Sequence, residues 1–462
     1  MTKFAVTNVS CLNASKSPHP ISTGIGYLDH MIDQLNSHAQ VGVSVTVVVD
    51  GEDVEGGNNG DDGNDDQLHS NEFANRYANE DQSEITSLVG SALGGRLRSL
   101  LPSPTNATPP PSRGISRFRC PLDEALVECN LATASTFASG GGGGLVDFAL
   151  PPYGIYPPDV GRGKVGTLET AHVRTFFASL ARSSGLEVSL RKIRGENGHH
   201  VIESAFKAFS RALRNLLDGT DAYYDYDPVG YELAWGTGGV PPGGCAGTME
   251  QRTGRVERST KETSISVRVR LSDGILSGDD GDAAEDPTVV VDTGIKTLDL
   301  FVSSLAREAC ASVDVKCTGD LFVDDHHTSE DVSIALGQAL DEAFGTRAGL
   351  NRMWCAVGAY GTAEVEVTMD LSNRPHIIHD LFKSTTEEYA GDLSVEMLVH
   401  ALESLATNSK STVHIVERRV GNCALETFIA TAVAYGRALR MCGAVDPRRA
   451  GKTASSKGTL SV

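Results

Sequence analysis

Two short segments of the chain place histidine and carboxylate side chains at ligand spacing. One is Asp324-Asp-His-His-Thr-Ser-Glu-Asp331, in which His326 and Glu330 are i,i+4 and His327 and Glu330 are i,i+3. The other is Asn197-Gly-His-His-Val-Ile-Glu203, which sets His199, His200 and Glu203 in the same H-H-x-x-E form. Residues three and four apart share a helix face, so one turn offers a nitrogen and an oxygen to a cation. Adjacent histidines point about 100° apart, so each can feed a different metal ion. One such cluster would read as surface histidines beside a capping acid. Two of the same form among only 13 histidines make metal chemistry the better reading. Mixed nitrogen and oxygen ligation suits manganese; zinc and iron remain equally open at this level.

The Asp324–Asp331 cluster falls at the start of a helical pattern, with a strand before it. In the C-terminal half, period 3.6 predicts helices near 298–309, 326–344, 395–406 and 424–442, and alternation predicts strands at 312–317 and 412–416. The order helix, strand, helix thus occurs twice. Thr23-Gly-Ile-Gly-Tyr-Leu-Asp29 returns as Thr293-Gly-Ile-Lys-Thr-Leu-Asp299, and Arg211-Ala-Leu-Arg214 returns as Arg437-Ala-Leu-Arg440. The expected fold class is α+β: two tandem domains, each a pseudo-duplicated unit of helices packed on β-sheets. The domains are placed at 1–219 and 255–462, with a Gly- and Pro-rich linker at 220–254.

Composition narrows the function classes. The 462 residues are 40% hydrophobic, enough for packed cores. Net charge is −20, which argues against phosphate-backbone binding to nucleic acid. Most of that excess comes from two runs, Asp50 to Asp66 with eight acids and Asp273 to Asp286 with six, read as solvated loops without calcium-loop spacing. No apolar run reaches the roughly 18 residues a membrane span needs, so no membrane partner is expected. The nine cysteines are scattered without a C-x-x-C pair, which fits a reducing compartment. The N-terminus has no continuous apolar stretch, so the cytoplasm is the expected location, with an organelle leader left open.

The motifs together resemble those of imidazoleglycerol-phosphate dehydratase. The matching segments are TGIGYLDHMIDQLNSH (23–38), CPLDEAL (120–126), GENGHHVIESAFKAFSRALR (195–214), RSTKET (258–263), DDHHTSEDVSIALGQAL (324–340), LSNRP (371–375), TVHI (412–415) and SSKG (455–458). The resemblance implies a carbon–oxygen lyase of histidine biosynthesis that removes water from imidazole glycerol phosphate at a two-manganese centre. A family member carries every motif in one domain of about 200 residues, whereas here the motifs are divided between two copies. The first keeps His30, His199, His200 and Glu203. The second keeps His326, His327, Glu330 and His414. In the first copy, Asn79, Glu80 and Ser189 stand where the second has His326, His327 and His414. In the second, Leu300, Leu425, Glu426 and Ile429 stand where the first has His30, His199, His200 and Glu203.

Those eight residues are the metal ligands the resemblance implies, for two Mn²⁺ per chain. It further implies substrate contacts by Gln34, His38, Lys207, Arg352, Arg374, Ser455 and Lys457. Arg117, in GISRF, is taken as the counterpart of Arg352. Glu262 of RSTKET is the first candidate for proton transfer, with Asp123 and Glu124 of PLDEAL behind it. The family builds active sites between subunits of closed 24-domain shells, so 12 of these two-domain chains would make one shell. The competing reading is a noncatalytic scaffold or regulatory homologue that has shed motifs from both copies.

Overall fold

The computed structural model describes residues 3–13, 17, 19–50, 75–101, 115–133, 143–157, 159–218, 252–271, 287–449 and 451–455. They form two compact units, Met1–Tyr223 and Tyr224–Val462. The acidic runs, Lys457 and most of the linker expected at 220–254 lie outside the described residues. The linker's last residues belong instead to a strand: Thr253 and Gly254 pair with Arg270 and Val269. Gly254 is required there, because a Cβ would sit 1.8 Å from the Ala339 carbonyl oxygen.

Unit one runs β1 (Phe4–Leu12), β2 (Ile21–Ser22), α1 (Gly26–Gln34) with a π-helical turn at Leu35–Ala39, β3 (Gly42–Val49) and α2 (Gln82–Arg98). It repeats as β4 (Ile115–Leu122), β5 (Ala125–Thr133), β6 (Gly144–Ala149), the hairpin β7 (Lys164–Val165) and β8 (Leu168–Glu169), α3 (Ala171–Ser184), β9 (Leu186–Arg194) and α4 (Gly198–Asp218). Unit two runs β10 (Thr253–Ser259), β11 (Thr263–Leu271), β12 (Val289–Asp292), α5 (Lys296–Glu308), β13 (Ala311–Gly319) and α6 (His326–Phe344). It then repeats as β14 (Met353–Tyr360), β15 (Ala363–Asp370), β16 (His376–His379), β17 (Tyr389–Ala390), β18 (Leu393–Ser394), α7 (Val395–Asn408), β19 (Thr412–Arg419) and α8 (Ala424–Gly443).

The sheets have orders β4-β5-β9-β6, β10-β11-β13-β12 and β14-β15-β19-β16, one topology used three times. In each, the last pair is parallel and a helix makes the crossover. Strand β11 shows why the sheets have a dry face: Ile265, Val267 and Val269 are buried while Ser264, Arg268 and Arg270 are exposed. In unit two, the helices of the two sheets pack on each other. A Cβ on Gly337 of α6 would lie 2.9 Å from the Leu405 carbonyl oxygen of α7, and one on Gly436 of α8 2.4 Å from that of Leu305 in α5. The duplicated α+β units expected from the motifs are therefore present, and the helix of Asp324–Asp331 starts at His326 as its pattern predicts.

Local geometry repeats with the sequence. Thr23 donates its N–H and hydroxyl to Asp29 at 2.8 and 2.6 Å, and Thr293 does the same to Asp299 at the same distances. This turn fixes the approach to α1 and to α5. The units differ in one sheet. Unit one has β1-β3-β2 among its described residues, with no counterpart of β10. The register of β1 shifts between Thr7 and Ser10, a bulge of the kind that protects an edge strand. No helix among the described residues is long and apolar enough to cross a membrane.

Candidate metal centre

Unit one gathers His30, His199 and Glu203, whose ligand atoms all lie within 4.8 Å of one another. His199 and Glu203 sit one turn apart on α4, with Nε2 3.1 Å from Oε2. His30 comes from α1, its Nε2 3.8 Å from the same oxygen. Lys207, one turn further along α4, holds the other oxygen, Oε1, at 2.8 Å. Burial alone would raise the Glu203 pKa, but Lys207 and hydrogen bonds from His199 and His30 outweigh it and hold the carboxyl far below its ordinary range. The triad therefore sets a carboxylate, favoured in its ionised form, beside two imidazoles.

His200 points elsewhere, as its position predicts. Its Nδ1 lies 2.7 Å from Glu124 Oε2 and its Nε2 3.7 Å from Asp123 Oδ2, both at the tip of the β4–β5 hairpin. The Asn197 N–H donates to Glu124 at 3.0 Å. Burial would raise the Glu124 pKa, but the bonds from His200 and Asn197 leave it lowered. A carboxylate on Nδ1 fixes the tautomer in which Nε2 is the free ligand. Glu124 thus orients His200, while Asp123 stands at the ligating end.

Unit two builds the same arrangement from different elements. His326, Glu330 and His400 bring their ligand atoms within 4.8 Å of one another. His326 and His400 reach opposite oxygens of Glu330, at 3.5 and 3.1 Å. His327 has Nδ1 3.0 Å from Asp320 Oδ2 and Nε2 3.7 Å from Glu262 Oε1. The Asp320 hydrogen bond, aided by the charges of Glu262 and Asp324, raises the His327 pKa. Asp320 therefore orients His327 as Glu124 orients His200, and Glu262 occupies the place of Asp123.

His400 was not among the ligands expected from sequence, and His414 was. The structure leaves His414 fully buried on β19, opposite Thr368 of β15 and outside the cluster. His400 reaches Glu330 because α7 packs on α6, an approach that Gly337 permits further along the two helices, against Leu405. The only sequence signal was a lone histidine on an amphipathic helix.

The positions expected to have lost their ligands carry other residues in both units. On α2, Gln82, Ile85, Thr86, Val89, Gly90 and Leu93 face inward as Ser329, Val332, Ser333, Leu336, Gly337 and Leu340 do on α6. That register sets Asn79, Glu80 and Ser83 where unit two has His326, His327 and Glu330. The same comparison of α3 with α7 sets Thr175 at the place of His400. In unit two, Leu425 and Glu426 begin α8 as His199 and His200 begin α4, and Ile429 is buried at the place of Glu203. Glu426 accepts hydrogen bonds from the Thr362 N–H and hydroxyl and the Asn422 N–H at 3.0, 2.7 and 2.9 Å. A ligand position has become a clasp between hairpin and helix.

The imidazoleglycerol-phosphate dehydratase profile matches residues 80–213 and again 293–439, more than half the chain. The chain belongs to the imidazoleglycerol-phosphate dehydratase family. It is similar to the chloroplastic imidazoleglycerol-phosphate dehydratase of Pisum sativum, 39% identical over 212 residues, which are 46% of this chain and 70% of the relative. The Gloeobacter violaceus enzyme is 35% identical over 212 residues, 46% of this chain and 100% of the relative. That of Neurospora crassa is 39% identical over 222 residues, 44% and 94%. A whole dehydratase of this family thus spans less than half of the chain, which carries two family segments.

The remaining expected substrate contacts are placed unevenly. Gln34 and His38 are fully buried, and the Gln34 amide donates to the His30 carbonyl at 3.0 Å, steadying the turn that carries a ligand. Lys207 is engaged by Glu203. Arg352 is buried in a two-pronged pair with Asp370, at 2.7 and 2.8 Å, and also donates to the Ala454 carbonyl, so it ties down the chain beside Ser455. Arg374 follows a turn in which Ser372 Oγ donates to its carbonyl at 2.8 Å.

Arg117 is not the counterpart of Arg352. Arg117 pairs with Asn130, and Asn130 with Ser189; in unit two the corresponding row is Cys355, Thr368 and His414. Arg352 lies three residues earlier, just before β14, so that arginine is not retained twice. Arg117 and Arg119 instead each place Nε 2.8 Å from Glu128 Oε2. Burial would raise the Glu128 pKa, but Arg119 and Arg117 reverse the shift and take it down to about 2. A depressed carboxylate pKa stabilises the fold above the unfolded value near 4.5, and this contribution is lost as pH falls through about 2. Glu128→Gln should therefore cost roughly 2–3 kcal/mol in denaturant unfolding at pH 7, with the gap to wild type closing as the pH approaches 2. An equal gap at both pH values would mean that Glu128 acts through packing.

Proposed function

We propose that this chain dehydrates imidazole glycerol phosphate to imidazole acetol phosphate in histidine biosynthesis, at a dinuclear manganese centre to which each unit contributes four ligands. The observation that carries this reading is the complementarity of the two half-sets. One unit offers His30, His199, His200 and Glu203; the other offers His326, His327, Glu330 and His400. Each position filled in one unit is vacated in the other, an outcome that random decay of two equal copies would rarely leave.

The donor chemistry fits a divalent first-row cation: two imidazoles and a carboxylate in each triad, with coordination positions left to fill. His200 and His327, oriented through Nδ1, would fill one position each on the metal of the opposite triad. When bound, the two ions supply Lewis acidity that stabilises negative charge on the substrate's imidazole ring. The chain's own groups handle the protons. Asp123 and Glu262 stand at the ligating ends of His200 and His327, where a carboxylate can accept the proton from the C–H beside the ring. A proton returned to the hydroxyl on the next carbon lets it leave as water. Arg374, Ser455 and Lys457 suit the phosphate, with a guanidinium fork, a hydroxyl and a point charge.

The test is a dehydratase assay on the full chain after chelation, with Mn²⁺, Zn²⁺ or Fe²⁺ restored. Recovery with Mn²⁺ and a metal content near two per chain support the enzyme. No turnover with any of the three, and metal content near zero, would leave the scaffold.

The same reading extends to assembly. If 12 two-domain chains replace 24 single domains, the operators that exchange the two units are lost, and tetrahedral symmetry closes the shell. Light scattering should then give a particle near 12 times the 48.9 kDa chain, about 587 kDa. A particle near 49 kDa would defeat the shell.

A further inference from the structure

Tyr27 lies on α1 one turn before His30, and its side chain crosses to α4. Its hydroxyl donates to the His199 carbonyl oxygen at 3.1 Å. Its ring meets the His199 ring edge-on, with centroids 5.1 Å apart. The residue is buried. Gly166, at φ +57°, allows the close approach, since a Cβ there would stand 3.3 Å from Tyr27 Cβ. One side chain thus joins the two elements that bring His30 and His199 together.

Unit two contains an internal control. Thr297 holds the corresponding position, one turn before Leu300, and lies against the corresponding hairpin glycine, Gly391. Its hydroxyl donates to the Ala390 carbonyl at 2.9 Å, within that hairpin neighbourhood; the ring contact from α5 to α8 is made instead by Phe301 on Phe428, not at Leu425, with centroids 4.2 Å apart. The phenol is present where His30, His199 and Glu203 are kept, and absent where Leu300, Leu425 and Ile429 replace them. A residue needed only to fill the core would have no reason to follow the ligands.

We infer that Tyr27 is a positioning residue for the metal triad of unit one: it fixes the His199 ring and the spacing between α1 and α4, and so sets the affinity of that site for a divalent cation. This rests on the metal-dependent reading above. Outer partners of metal ligands typically change affinity by about 10- to 100-fold.

The experiment titrates the full apo chain with Mn²⁺ and follows free Mn²⁺ by electron paramagnetic resonance. Tyr27→Phe, which keeps the ring and removes the hydrogen bond, should weaken the tighter-affected site about 10-fold. Tyr27→Thr, the residue unit two carries, should weaken it about 100-fold. The apo melting temperature of Tyr27→Phe should match wild type, and saturating Mn²⁺ should restore its turnover. A Tyr27→Phe chain that binds Mn²⁺ as wild type does overturns the inference, as does one whose turnover stays low at saturating Mn²⁺. A wild-type chain that binds no Mn²⁺ would instead defeat the metal-dependent reading on which the inference rests.

Discussion

His200→Ala and His327→Ala, one in each unit, are each expected to lower kcat/KM by on the order of 10³-fold or more, beyond the 10- to 100-fold typical of outer partners. On the proposed reading, each change removes the one imidazole that its unit would offer to the other triad. It also leaves a carboxylate pair, Glu124 with Asp123 or Asp320 with Glu262, beside an emptied position. Neither loss can be covered by the other copy, because Glu80 and Glu426 hold the corresponding places. Glu426 is already engaged by Thr362 and Asn422. Mixing the two inactive chains under conditions that allow exchange adds a second readout. If sites form between neighbouring chains, mixed assemblies contain some intact sites, and activity returns in part. If each site forms within one chain, mixing restores nothing. Wild-type activity in either single variant would contradict the division of ligands between units.

The second large effect concerns His400. His400→Ala should reduce bound metal from about two per chain to about one and abolish turnover, because it strips Glu330 of its 3.1 Å partner and leaves His326 alone in the triad. His414→Asn should leave the metal content at two, since the side chain is sealed inside the sheet of unit two. Metal analysis separates these outcomes even where a buried substitution lowers stability. The opposite pattern, metal lost with His414 and kept with His400, would restore the assignment made from the strand motif. A content near four per chain would show that the substituted positions still hold metal, against the hydrogen-bonded clasp of Glu426 and the apolar Leu300, Leu425 and Ile429.

The sequence by itself determined whatever is carried within one turn of helix or one short strand. The H-H-x-x-E spacing is local: a helix at His199 or His326 puts the first histidine beside the glutamate and turns the second away, whatever surrounds it. The tandem duplication was also legible, because the Thr–Asp turns before α1 and α5 and the Arg-Ala-Leu-Arg segments are short strings with fixed internal geometry.

Tertiary structure decided the pairings between distant segments. His400 joins Glu330 through the packing of α7 on α6, and no spacing along the chain encodes that contact; His414, in a recognisable motif, is buried in the sheet outside that cluster. The register of the β4–β5 and β14–β15 hairpins moved Arg117 away from Arg352, because a strand position is defined by its cross-strand partner. Likewise, the distinct tasks of neighbouring Asp123 and Glu124 became visible only when the hairpin tip met the two nitrogens of His200. Local spacing follows from chain geometry alone, whereas packing and register depend on which surfaces lose water together, and only the folded units specify that.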